Sequence, residues 1–322
     1  MTRSRTVLAV DMGGTKLAVG LVDDSPKVRY QKVSPTVTTS RDGCLSDLYD
    51  RLDEMVAKAS QLAAIGVGIA AMVDFADGRL VDSTNLPLCN VPLRDLLARR
   101  YTLPVVVDND ATAACIGEHL WGAGKDASEM LMLTLGTGIG GGIICRGKPY
   151  RGCSGAAAEL GHMVIDVQGP RCQGSCPAAG CLEVFASGNA IGAAALAEAQ
   201  AKPASALGRA LADGEAVDGR LLTRLAQVGD PDALMVFERV GSLLGVGIAN
   251  LVNIFNPQLV VIGGGAAAAG DLLLDPARSV VATRALRPQR DEVRIVPARF
   301  GADAGIVGAA ALAFTELLYE EA

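Results

Sequence analysis

Asp11-Met12-Gly13-Gly14-Thr15-Lys16 lies between the apolar runs Val7-Leu8-Ala9-Val10 and Leu17-Ala18-Val19-Gly20-Leu21-Val22, and the whole reads as strand, tight turn, strand. A second stretch, Leu135-Gly136-Thr137-Gly138-Ile139-Gly140-Gly141-Gly142, has the same setting between Leu131-Met132-Leu133-Thr134 and Ile143-Ile144-Cys145. Glycine lets backbone N–H groups approach an anion with no side chain in the way, and the Thr15 and Thr137 hydroxyls add donors. Either turn alone is also compatible with an ordinary hairpin. Two of them in matching settings point to two related α/β halves, each with a turn suited to a phosphate.

Working outward, residues 6–33 form an antiparallel meander whose second turn is Asp23-Asp24-Ser25-Pro26. Helical spacing follows at Leu45, Leu48, Leu52, Met55 and Val56. Ala64 to Ala71 reads as a buried strand, and Leu103 to Val107 as another that runs into Asp108-Asn109-Asp110. A helix is expected over Ala111 to Trp121, with Asp110 in a capping position. Residues 188–230 are Ala-rich and helical, and Met235 to Ile254 is amphipathic, stopping at Asn256-Pro257. Leu259-Val260-Val261-Ile262 then enters Gly263-Gly264-Gly265, where a nucleotide can lie against bare backbone. Ala304 to Leu318 closes the chain as a helix.

Half of the 322 residues are apolar, enough for two cores. A net charge of -6 argues against a broad nucleic-acid surface, which needs clustered Lys and Arg. The longest apolar run, Leu259 to Gly270, falls short of the roughly 18 residues of a spanning helix. The apolar stretch before Asp11 is too short for a secretory signal, so a cytoplasmic protein without a membrane partner is expected. There, eight cysteines are thiols rather than four disulfides. Cys44, Cys89, Cys115, Cys145 and Cys153 are scattered, but Cys172, Cys176 and Cys181 cluster downstream of His162. Three thiols and one imidazole make a donor set suited to a closed tetrahedral zinc site.

In these motifs the chain resembles the ROK family, the repressor, open-reading-frame and kinase group, within the superfamily of actin, hexokinase and the heat-shock chaperone ATPases. Asp11 to Lys16 matches the first phosphate motif, Asn109-Asp110-Ala111 the catalytic turn, and Leu135 to Gly142 the second phosphate motif. Glu159-Leu160-Gly161-His162 through Gly180-Cys181-Leu182-Glu183 matches the zinc and sugar segment, and Val261 to Gly265 the adenosine motif. The resemblance implies two ribonuclease H-like α/β domains with a nucleotide and sugar cleft between them. The first is expected over 1–118, with the helix at 304–322 packed back on it, and the second over 119–303, with the zinc segment at 159–183. ATP-dependent phosphorylation of a hexose by a homo-oligomer, dimer or tetramer, is implied, with glucose first. An N-acetylhexosamine, mannose or fructose is the alternative acceptor, and a non-catalytic sugar-responsive regulator the remote one. The family's repressors carry a DNA-reading domain ahead of the first phosphate motif, and only ten residues precede Asp11.

Residue by residue, the resemblance makes Asp110 the general base, a role for a carboxylate within hydrogen-bond reach of the attacking hydroxyl. It makes Asn85, Asn109, Glu159, His162 and Glu183 sugar ligands alongside Asp110. Asp11 resembles the carboxylate that holds Mg2+ through water. Gly13, Gly14, Thr15, Lys16, Thr137, Gly138, Gly263, Gly264 and Gly265 fall in the ATP-binding motifs; Lys16 itself is given no catalytic part. His162, Cys172, Cys176 and Cys181 would hold a structural Zn2+, His162 through one ring nitrogen while the other meets the sugar. Taken singly, Asp110 also reads as a helix cap, Asp11 as a turn residue, and both glutamates as solvated helix charges. Two departures stand out. Three residues separate Cys172 from Cys176 where the family commonly has one, and Ala70-Ala71 stands where family kinases usually carry Pro-Gly.

Overall fold

The computed structural model describes residues 5–319; the expected domain and helix ends at 1–4 and 320–322 lie outside them. The chain opens with β1 (Thr6–Met12), β2 (Lys16–Asp23), β3 (Val28–Pro35), α1 (Arg41–Val56), β4 (Ala64–Ile69) and the hairpin β5 (Met72–Asp74) and β6 (Arg79–Asp82). Then come α2 (Leu93–Tyr101), β7 (Val105–Asn109), α3 (Asp110–Trp121), β8 (Met130–Leu135), β9 (Ile139–Cys145) and β10 (Lys148–Pro149). A helical stretch follows: α4 (Glu183–Ala186), α5 (Gly188–Ala201), α6 (Ala206–Ala212), α7 (Gly219–Gln227) and α8 (Pro231–Phe255). β11 (Leu259–Gly263), α9 (Asp271–Arg284), α10 (Gln289–Glu292), β12 (Arg294–Pro297) and α11 (Ala304–Ala313) complete it, with a π-helical turn over Phe314–Leu318.

Two five-stranded sheets have the same plan, β3-β2-β1-β4-β7 and β10-β9-β8-β11-β12. In the first, β1 pairs antiparallel with β2 and parallel with β4, and β4 parallel with β7. In the second, β11 pairs parallel with β8 and β12. Each glycine turn joins the first two strands of its sheet, as the sequence repeat implies. Central strands of a sheet covered on both faces must be apolar throughout. Accordingly all of β4 is buried, whereas β3, at the sheet edge, exposes Tyr30 and Val33.

The chain forms two compact units. One comprises residues up to Ser128, Gly142–Ala158 and the segment from Ala302 onward; the other comprises Glu129–Gly141 and Glu159–Gly301. Residues 119–128 and 142–158 thus group with the N-terminal half. Within the first unit α11 packs on α3, β1 and β4, and every residue from Ile306 to Phe314 is buried. Such a helix has no polar face because it has no solvent side. Within the second unit, α8 runs from an Asp230 cap, whose carboxylate accepts the Ala233 N–H, through Pro231 to a left-handed Asn256. It packs on α9, α5, α4 and α7. By length and composition the 231–255 and 301–318 stretches could cross a membrane, but most of their apolar residues are buried in the two units, Leu234, Met235, Ile254, Phe255 and Leu317 being exposed.

Candidate active site and metal centre

In the first unit, hydrogen-bond register aligns the carboxyl ends of three parallel strands: Met12 pairs with Ile69, and Ile69 with Asn109. Ligand sites of parallel α/β sheets form at such ends. The turn after β1 is closed by the Gly13 N–H donating to Lys16 O at 2.9 Å, and the Thr36 hydroxyl donates to Gly13 O at 2.7 Å. Gly14 is obligatory here for steric reasons: a Cβ at this position would lie 2.6 Å from the Asn85 Cβ. The structure therefore brings Asn85 directly against the first phosphate turn. Its loop is tied by Ser83, whose hydroxyl donates to Ala70 O at 2.7 Å and accepts the Asn85 and Leu86 N–H groups. Ala70 in turn donates its N–H to Met12 O at 2.9 Å, a bond that the family's usual proline lacks the proton to make. Thr15 is exposed, and Lys16 Nζ sits 3.2 Å from Asp11 Oδ2. Burial pushes the Asp11 carboxyl above its ordinary value, with Lys16 opposing.

Asn109 and Asp110 stand where β7 passes into α3. The helix cap expected at Asp110 is in fact Asn109, whose side-chain oxygen accepts the Ala111 and Thr112 N–H groups at 2.9 and 3.1 Å. Asp110 is the first helical residue. The reason is backbone geometry: Asn109 still has extended φ/ψ as the last residue of β7, which is what a cap requires. The consequence is chemical. The Asn109 oxygen is committed to the cap, and its Nδ2 donates to Ala71 O at 3.4 Å.

In the second unit, Gly136 and Thr137 are exposed at the tip of the turn after β8, closed by the Gly136 N–H to Gly138 O at 2.9 Å. The Gly188 N–H at the start of α5 donates to Gly136 O at 2.7 Å, so that helix begins beside the turn. Gly263 ends β11, and Gly264 has φ +83 and backs onto Leu135, where any Cβ would come within 2.5 Å of its main chain. Gly264 and Gly265 are exposed. The adenosine and second phosphate motifs thus adjoin within this unit.

His162, Cys172, Cys176 and Cys181 place one ligand atom each within 4.8 Å of one another. His162 Nδ1 is 3.4 Å from Cys172 Sγ, and Cys176 and Cys181 Sγ are 4.0 Å apart. Zinc bonded at about 2.3 Å to thiolate and about 2.0–2.1 Å to imidazole sets tetrahedral ligand atoms roughly 3.5–3.8 Å apart; the donor set suits that ion, and the 3.4 and 4.0 Å separations bracket the range within a cluster whose ligand atoms lie up to 4.8 Å apart. The three-residue spacer is absorbed by a turn in which the Cys176 N–H meets Gln173 O. Burial pushes the Cys172 and Cys181 thiols upward, a shift that binding of a cation reverses.

His162 Nε2 points the other way, 3.8 Å from Glu159 Oε2. Loss of hydration holds the Glu159 carboxyl above its ordinary range, His162 opposing and Glu183 adding. Glu183 is buried, unlike the solvated charge a lone glutamate suggests. Its Oε2 accepts the Ile139 N–H at 2.9 Å and its Oε1 lies 3.6 Å from Cys172 Sγ. It therefore links the cysteine cluster to the second glycine turn, a role separated by 44 residues from the turn it serves and carried by no local motif.

Two α/β halves with one strand plan, each with a glycine turn after its first strand, define the actin/hexokinase-like class of phosphotransferase. The chain belongs to the ROK family, whose model matches residues 7–316. It is 37% identical to the glucokinase of Thermotoga maritima over 95% of this chain and 96% of that one. It is 30% identical to the xylose repressor of Caldicellulosiruptor bescii over 97% of this chain and 79% of the repressor. The crystal structure of a ROK glucokinase from Streptomyces griseus in complex with glucose and AMPPNP superposes with a TM-score of 0.84 at 34% identity, covering 95% of this chain and 98% of that one.

Proposed function

We propose that this protein is an ATP-dependent glucokinase, transferring the γ-phosphoryl group of ATP to the 6-hydroxyl of glucose. The observation that carries the reading is the register Met12–Ile69–Asn109, which aligns the turn after β1 and the Asn109-Asp110 turn at the carboxyl ends of the parallel strands of one sheet. The near full-length likeness to glucokinases supports it. Asp110 accepts the 6-hydroxyl proton as the O6–P bond forms and the bond to the leaving ADP breaks. Thr15, Thr137 and the backbone N–H groups of Gly14 and Gly138 hold phosphates, with Gly13 shaping its turn through the bond to Lys16 O, and Gly263, Gly264 and Gly265 lie against the adenosine. Asn85, Asn109, Glu159, His162 and Glu183 address sugar hydroxyls. Asp11, an oxygen donor of the hard type magnesium prefers, would hold that ion through water, and the ion supplies positive charge to the phosphates. Zinc on His162, Cys172, Cys176 and Cys181 would be structural, fixing the His162 ring so that Nε2 faces the substrate.

We further read the protein as a cytoplasmic homo-oligomer that uses neither nucleic acid nor membrane. A coupled ADP-release assay across a panel of hexoses tests the function. Glucose-dependent ADP production by the purified protein is the expected result, and sugar binding without turnover would instead favour the regulator reading.

A further inference from the structure

The segment Gly142–Ala158 of the first unit delivers a guanidinium that neither glycine turn uses. Arg151 Nε donates to Asp108 Oδ2 at 2.8 Å, and its Nη2 donates to Glu316 Oε1 at 2.7 Å. Its carbon centre lies 3.6 Å from the centroid of the Phe75 ring. Three separate segments of the unit thus meet on one side chain that is only 14% exposed, and Asp108 beneath it is 1% exposed. The second oxygen of Asp108 accepts the Asn109 N–H at 2.8 Å. Asn109 in turn caps α3 through Ala111 and Thr112. A continuous hydrogen-bonded path therefore runs from Arg151 through Asp108 to the backbone that carries Asp110.

We propose that Arg151 is a positioning residue for the reaction: through Asp108 it fixes the Asn109-Asp110 turn so that the Asp110 carboxylate is held where it accepts the sugar proton. This rests on the reading of Asp110 as the base. A single buried ion pair is weak evidence for a contribution to stability, because desolvation offsets attraction. The arrangement here exploits what only arginine offers, a planar fork that bonds two carboxylates while its face covers an aromatic ring. Burial pushes the Asp108 carboxyl upward, and the Arg151 charge opposes that. Without the guanidinium, Asp108 takes up a proton or shifts toward water, and its hold on the Asn109 N–H loosens. Displacement of a catalytic group by about 1 Å costs on the order of 100-fold in rate.

The test is a set of variants in the full-length protein, assayed for kcat, KM and thermal melting. Arg151→Lys keeps the charge and loses the fork. It is expected to lower kcat roughly 10- to 100-fold, with KM for glucose and ATP within about threefold of wild type. Should Arg151→Lys fold poorly, the paired variant Asp108→Asn with Arg151→Met removes both charges together, leaves no unpaired buried ion, and is expected to show the same loss. The deciding readout is a cycle with Asp110→Asn. A residue that acts through Asp110 has no further effect once Asp110 cannot accept a proton, so Arg151→Lys should leave the residual turnover of Asp110→Asn unchanged. A loss by the same factor in both backgrounds, or a melting shift with kcat intact, overturns the proposal while leaving Asp110 as the base. Wild-type turnover in Asp110→Asn alone overturns the reading of Asp110, and this proposal with it.

Discussion

Asp110 is the first residue of a 12-residue helix, and anionic side chains are in general well tolerated near a helix N-terminus. The anionic form is the one a proton acceptor needs. Asn109 supplies the cap to Ala111 and Thr112, and Asp110 Oδ1 also accepts the Ala111 N–H at 2.9 Å. Asp110→Asn should therefore leave circular dichroism and glucose binding close to wild type while lowering kcat by roughly 100- to 10,000-fold, the range for a positioned acid or base. Turnover within a few-fold of wild type in a folded variant removes Asp110 from the mechanism. The sequence made this pair legible as a motif but not the identity of the cap, since which of two adjacent polar residues caps a helix depends on where the strand lets go of the extended conformation. The Glu183 link to Ile139 and the Arg151 link to Asp108 were illegible for a different reason. Each joins residues more than forty positions apart, and periodicity carries information only about neighbours.

Among the elements, the segment from His162 to Cys181 has little regular structure beyond a short helical turn and the bridges Val164 to Cys181 and Arg171 to Ala179. A loop of this kind is ordered by whatever its side chains converge on. One zinc per chain is expected by elemental analysis, and a chelator that strips it should lower the melting temperature; metal-free protein that melts and turns over normally would eliminate the ion as an architectural element. The turn after β2 is held by a carboxylate instead. Asp23 is 1% exposed and accepts hydrogen bonds from the Ser25 hydroxyl and N–H, the Lys27 N–H and Arg29 Nε. Burial alone would raise its pKa, yet these donors together bring it below the ordinary value. An unfolded aspartate titrates near about 3.9, so the stabilisation is complete above that pH and is lost as pH falls through the lower folded value. Asp23→Asn should cost about 1–3 kcal/mol in urea unfolding at pH 7. The gap should narrow below about pH 4, and a gap constant to pH 3 would contradict the assignment. The strands and helices with clear periodicity were readable in advance; α2, α9 and the β5–β6 hairpin were not. The α2 helix begins at Pro92 without a capping side chain, α9 contains Pro276, and β5 has three residues, too few to alternate.

For the molecule as a whole, the repeat of strand, glycine turn and strand was enough to foresee two related halves, because each turn needs small residues that stand out in any sequence. Substrate choice is harder, since it depends on which hydroxyls meet which carboxylates. Glu159, His162 and Glu183 come together in the second unit and resemble residues that accept from sugar hydroxyls, including those near C1 and C2. An acceptor placed for a 2-hydroxyl meets, in an acetamide, an N–H of different direction with an acyl group attached, and a pairing lost to that misfit costs about 1–3 kcal/mol, or roughly 5- to 150-fold in kcat/KM. The apolar departure at Ala70-Ala71 argues the other way, as room for an acetyl methyl. That turn, however, is tied down by the Ala70 N–H to Met12 O and by Asn109 Nδ2 to Ala71 O, and its side chains are single methyl groups. Glucose should accordingly exceed N-acetylglucosamine and N-acetylmannosamine in kcat/KM by that factor when all three are assayed side by side. Equal or higher efficiency with either acetylated sugar would reassign the acceptor and leave the phosphoryl-transfer chemistry in place, because the residues proposed for the phosphates and the proton are not those proposed for the 2-position.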